Sequence, residues 1–128
     1  MLWLALYLNT FFQFPLMPAH ATGDAEPVVT WLTEQDHDFG EVAARRPVSF
    51  TFRFRNVSRD TILLQTVRTT CGCTAARYTE EPLAPDAEGE VNIEYDALQG
   101  GAFRKKIRVF FDRQRKPEIL WIEGEVDR

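Results

Sequence analysis

Apolar and polar residues alternate along most of the chain after about residue 28. Val48 to Asn56 (VSFTFRFRN) sets Val48, Phe50, Phe52 and Phe54 on one face and Ser49, Thr51, Arg53 and Arg55 on the other. That period of two is the mark of a strand with one buried face. Glu90 to Tyr95 repeats it, with Val91, Ile93 and Tyr95 against Glu90, Asn92 and Glu94. Phe103 to Phe111 sets Ile107, Val109 and Phe111 against Arg104, Lys106 and Arg108. Glu118 to Val126 puts Leu120, Ile122, Gly124 and Val126 opposite Ile119, Trp121, Glu123 and Glu125, so cover on both faces is expected near Trp121. Weaker strands are predicted at Val28 to Leu32, Phe39 to Val42, Thr61 to Val67 and Ala75 to Tyr78. Turn residues separate them at Ser58-Arg59-Asp60, Pro82 to Gly89, Gln99-Gly100-Gly101 and Gln114 to Pro117. No segment sustains a helical period.

Seven to eight short strands at this spacing predict an all-β, immunoglobulin-like antiparallel β-sandwich. The chain has 128 residues, 45% of them hydrophobic, with a formal net charge of −4. This is the composition of an ordinary globular fold, and the length excludes a two-domain enzyme. The acidic balance argues against a nucleic-acid partner.

The first residues break this pattern. Nothing charged precedes Asp24, and MLWLALYLNTFFQFPLM is almost wholly apolar. Ala19-His20-Ala21 follows, an A-x-A pattern that marks residues 1–21 as a signal peptide and 22–128 as the exported sandwich domain. A spanning helix needs about 20 apolar residues. This run is shorter and holds Asn9, Thr10 and Gln13, so no membrane span is expected after cleavage. The expected location is extracytoplasmic, periplasmic or secreted. The alternative is a module anchored by an uncleaved N-terminal segment, because the leader lacks a basic residue ahead of its apolar run.

Cys71 and Cys73, in Thr70-Cys71-Gly72-Cys73-Thr74, are the only cysteines. Extended residues i and i+2 lie about 6.6–6.8 Å apart, against about 5.5–6 Å for a relaxed disulfide. A bend at Gly72 would make a bridge feasible but strained. Three readings of the pair stand: a structural kink, a thiol–disulfide exchange site, or a soft-metal site binding Cu(I), with His37 as a third group. His37, in Asp36-His37-Asp38-Phe39-Gly40, is the one histidine after residue 21. It reads as a metal ligand or general base, or as a strand-edge residue beside a core Phe39 and a turn at Gly40. There is no nucleophile elbow, Walker loop or HExxH motif, so no catalytic residues and no resident cofactor are expected.

Charge is polarised along the chain. Glu80, Glu81, Asp86, Glu88, Glu90, Glu94 and Asp96 precede the Gly100-Gly101 turn, and Arg104, Lys105, Lys106, Arg108, Arg113, Arg115 and Lys116 follow it. The basic strip would suit an anionic partner. The reading preferred from sequence is a hairpin that places the two charge sets opposite each other. Asn56-Val57-Ser58 matches a glycosylation sequon, but at a strand end.

Several of these stretches, in this order, resemble a known family. They are His37-Asp38-Phe39-Gly40-Glu41-Val42, Phe50 to Asn56, Val67 to Thr74 with its CGCT, Pro82-Leu83-Ala84-Pro85 with Gly89, and Ile122-Glu123-Gly124-Glu125-Val126. Together they are similar to the secreted bacterial domain of unknown function 1573, whose members are similar to modules of the ASPM–SPD-2–Hydin type. The resemblance implies an immunoglobulin-like sandwich outside the cytoplasm, without established enzymatic activity. It gives Phe39, Gly40, Gly72 and Thr74 structural roles in the motifs. One departure is Pro85-Asp86, where the family often has Pro-Gly. The expected role is that of a non-catalytic binding or structural module, whose partner is another protein or a cell-envelope component. The alternative is an extracytoplasmic thiol-redox or copper-binding protein using Cys71 and Cys73.

Overall fold

A computed structural model describes residues 26–70 and 73–128. The proposed leader and its cleavage site therefore lie outside the described residues. Eight strands form: β1 (Val29–Trp31), β2 (Asp36–Val42), β3 (Val48–Asn56), β4 (Leu64–Thr69), β5 (Cys73–Tyr78), β6 (Glu88–Tyr95), β7 (Gly101–Phe111) and β8 (Glu118–Val126). One sheet has the order β1-β3-β6-β5 and the other β2-β8-β7-β4. All neighbours are antiparallel except β2 and β8, which run parallel. The chain leaves the first sheet after β1 and enters the second at β2, so β2 meets the last strand running in the same direction.

The alternation read from sequence is the alternation that packs. Phe52, Phe54, Val91, Ile93, Ile107, Val109, Phe111, Leu120 and Ile122 fill the space between the sheets. Each such side chain contributes about 1.5–3 kcal/mol on burial. Trp31 anchors the three-residue β1 by its edge-on contact with Phe54 at 5.4 Å and by Nε1 donating to Glu118 at 3.0 Å.

A polar knot closes one end of the sandwich. Asn56 is fully buried at the end of β3. Its Nδ2 donates to the Asp60 carbonyl at 2.8 Å and the Leu83 carbonyl at 2.9 Å. Its Oδ1 accepts from Ser58 N at 2.9 Å and Ser58 Oγ at 2.7 Å. The sequon nitrogen is thus consumed inside the fold. The neighbouring turn resolves the departure at Pro85-Asp86: Asp86 takes φ 70°, the left-handed conformation that glycine would supply, and donates its N–H to Asn56 O at 2.8 Å. A short acidic residue tolerates that region better than most.

The expected hairpin across Gly100-Gly101 does not form. β6 pairs with β3 and β5, whereas β7 pairs with β8 and β4, because the chain crosses between sheets at residues 96–100. Buried Ala97 is the pivot, with φ 56° and its carbonyl bound by Arg45 N at 2.9 Å. One acid of β6 meets arginines of its own sheet instead, with Glu88 held by Arg53 at 2.7 Å and Arg55 at 3.1 Å.

Asn56→Ala should lower the unfolding free energy by about 1–3 kcal/mol, since two inward carbonyls lose their donor. Chemical denaturation of both proteins would measure it, and an unchanged midpoint would show that the knot is dispensable.

Candidate functional site

The Cys-Gly-Cys segment sits where the chain changes sheets. β4 is an edge of one sheet and β5 an edge of the other. Thr69 Oγ1, at the end of β4, donates to the Cys73 carbonyl at 3.0 Å, and Cys73 N donates to Thr70 O at 3.3 Å. Cys71 and Gly72 lie outside the described residues, and with them the question of a bridge. Thr74 pairs in register with Glu94. Cys73 is half-buried and faces Tyr95 across the strands. Burial pushes the thiol up to about 11; Asp96 adds to the rise, and the Lys105 ammonium opposes it. As an unbridged thiol Cys73 is protonated at neutral pH, whereas nucleophilic attack and metal ligation use the thiolate.

His37 stands on β2, an edge strand of the sheet that does not contain Cys73. Its ring turns inward and stacks on Phe50 at 3.7 Å with 10° between planes, and Phe39 meets it edge-on at 4.6 Å. Nδ1 lies 2.8 Å from Glu34 Oε1, and 21% of the side chain is exposed. The described elements thus bring His37 to an aromatic cluster and not to Cys73. Among the described residues no three His, Cys, Asp or Glu side chains form a metal-binding group.

The His-Asp-Phe-Gly motif builds a bulge. Register against β8 shifts between Asp38 and Glu41, and Gly40 there has φ 67°. Asp38 Oδ1 accepts the Gly40 N–H at 2.7 Å. On β8, a Cβ at Gly124 would meet the Phe103 ring at 2.9 Å and Gly40 O at 3.0 Å, so the two motif glycines fit each other. Phe39 packs against the core beside Phe103. Outside the bulge runs an open groove of about 600 Å³, lined by Asp38, Glu41, Glu123 and Glu125 with the backbone of Gly40 and Gly124.

The outward face of the same sheet holds a feature that reading by sequence discounted. Trp121 is half-buried beneath Arg104, whose guanidinium lies 4.2 Å from the ring centre. This is the two-sided cover expected there. Arg104 also binds Asp36 at 2.8 Å and Glu123 at 3.4 Å. Lys106 and Arg108 follow on β7, and Arg68 of β4 lies directly opposite Arg108. Sequence could not signal this juxtaposition, because it depends on which strand β7 chooses.

The family described as "Protein of unknown function (DUF1573)" matches residues 30–126. No curated protein matches. A protein of unknown function from Porphyromonas gingivalis W83 is similar at 18% identity and TM-score 0.64, over 77% of this chain and 46% of that one. The secreted serine protease VesC from Vibrio cholerae is similar at 13% identity and TM-score 0.63, over 80% and 24%. The ASH/PapD-like domain 7 of human CEP192 is similar at 10% identity and TM-score 0.61, over 88% and 97%. The chain thus spans about half of the first and a quarter of the second. At these identities the likeness is one of fold.

With Cys71 replaced by Ser, alkylation of folded Cys73 should keep rising with pH through 9 and 10. A plateau near the ordinary thiol value of about 8.5 would show an exposed, unperturbed sulfur. Gly124→Ala should cost about 1–3 kcal/mol in denaturant titration, because the Phe103 ring and the bulge must both give way.

Proposed function

The chain belongs to the DUF1573 family, and from that premise we propose that it is an exported, non-catalytic immunoglobulin-like binding module that meets another protein of the cell envelope along edge strand β4. The observation that carries the reading is the state of the four sheet edges. β1 has three residues, and β2 and β5 each lose register after three. β4, beyond an irregularity at Leu64/Thr66, pairs Thr66–Thr69 with β7 without interruption. Its other side closes the sheet order, and among the described residues no strand pairs with it. An extended segment can hydrogen-bond to such an edge through main chain alone, with side chains deciding which segment is accepted. Thr66 and Val67 are residue types that favour strands.

A non-catalytic reading is supported by the two chemical candidates that lie among the described residues. Cys73 is protonated at neutral pH, and His37 is clamped between Phe50 and Glu34. Neither lends support to redox or copper chemistry. Export is supported by the N-terminal sequence pattern.

Intact mass of the protein recovered from cells should correspond to a chain beginning at Thr22. Retention of Met1 would make it an anchored module. A photo-reactive residue at Gln65 on β4 should form a discrete adduct in intact cells, and one at Thr51 on the outer face of the other sheet should not. Adducts from Thr51 alone would overturn the choice of edge.

A further inference from the structure

The outer face beside β4 carries charge that the fold leaves unanswered. Arg68 and Arg108 are directly opposed across β4 and β7, an arrangement that costs stability. Lys106 lies two residues from Arg108 on the same face, roughly 7 Å along the strand. Among the described residues no carboxylate comes within 4.0 Å of Arg68, Lys106 or Arg108. Three arginines of the two outer faces do find acids: Arg104 has Asp36 and Glu123, and Arg53 and Arg55 have Glu88. Two of the three rest on rings instead, with Arg68 5.5 Å from Phe110 and Lys106 5.8 Å from Trp121. Between them lies a hollow of about 90 Å³ lined by Arg68, Thr69, Thr70, Lys106 and Arg108.

From this juxtaposition we infer that the segment received by β4 is acidic: an extended stretch of a partner protein with Asp or Glu at alternate positions, laid down as a fifth strand of the sheet. The inference rests on the reading of β4 as the docking edge. Side chains of an added strand facing outward stand directly opposite Arg68. They lie about 10 Å from β7, within reach of the long arms of Arg108 and Lys106. Alternate carboxylates would thus answer all three cations and remove the repulsion between the two arginines. A membrane surface is the poorer match, since the exposed large apolar side chains of the described residues, Leu32, Val57 and Leu98, lie outside this face.

The test titrates the protein, to millimolar ligand, with three peptides of one strand-forming sequence carrying Glu, Gln or Lys at alternate positions. It reads affinity and the amide exchange of β4. The Glu peptide should bind about tenfold more tightly than the Gln peptide, weaken with added salt, and protect the amides of Thr66–Thr69. Arg68→Glu with Arg108→Glu should reverse the order in favour of the Lys peptide while leaving the unfolding midpoint near its original value or above it. Equal binding of Glu and Gln peptides with protected β4 amides would overturn the acidic preference and leave the edge reading intact. Binding of polyglutamate and of a sulfated polysaccharide alike, without protection of β4, would overturn the strand geometry. No binding by any peptide would overturn the inference. The edge reading would then stand or fall by the adduct at Gln65.

Discussion

A buried amide decides how the two sheets are closed at one end. Asn56 ends β3, yet its side chain binds the Asp60 carbonyl ahead of β4 and the Leu83 carbonyl ahead of β6. The main chain of the same residue donates to Ala87 O and accepts from Asp86 N. Three separate stretches are thereby fixed around one side chain with its hydrogen-bonding capacity met. Burying an amide without partners would cost a few kcal/mol, so the knot is stable only as a whole. The left-handed Asp86 and the buried Leu83 are positioned by it. So is the start of the path that carries the chain from β3 to β4, the edge on which the proposed function depends.

The strands were legible because each needs only a period of two and a turn at either end. Val48–Asn56 and Glu118–Val126 carry five and more alternations, and their ends fall where the pattern stops. β4 was shifted by three residues at its start, because Thr61-Ile62-Leu63 is apolar enough to look like strand while only Ile62 bridges, to Leu83. Pairing was not legible. Two charge-complementary strands on either side of a Gly-Gly turn predict a hairpin on local grounds, and a sandwich can satisfy the same charges by sending each strand to a different sheet. Burial of Ala97 and of the stacked pair Tyr95 and Phe103, 4.0 Å apart, favours the crossing over the turn.

That difference changes the meaning of the charges. In the expected hairpin, the bases of β7 would run alongside the acids of β6 and would need no further account. In the sandwich, Arg108 faces Arg68. Motif residues moved the other way. His37 reads from sequence as a ligand or base, or as a strand-edge residue beside a core Phe39 and a turn at Gly40, and the geometry is that of a bulge. One glycine takes the left-handed turn, a second gives it room, and the histidine ring seals the edge against Phe50. A sequence motif this specific can thus arise from packing that admits few substitutes, without any reaction to explain it.

Edge strands must remain open enough to be used and hostile enough to refuse copies of themselves. Charge on the edge is the common means of refusal, and the Arg68–Arg108 pair supplies it. A second β4 laid against the first would bring more arginine to the same place, raising the repulsion already present. A neutral strand would leave it unrelieved. A strand bearing acids would relieve it, so on the proposed reading the feature that opposes self-association is also the one that selects a partner. The cost appears in the free protein as two opposed arginines, of which Arg68 rests on the Phe110 ring, and an acidic strand would recover it. This is specificity by a difference of affinities, with the repulsive element built in before the attractive one arrives.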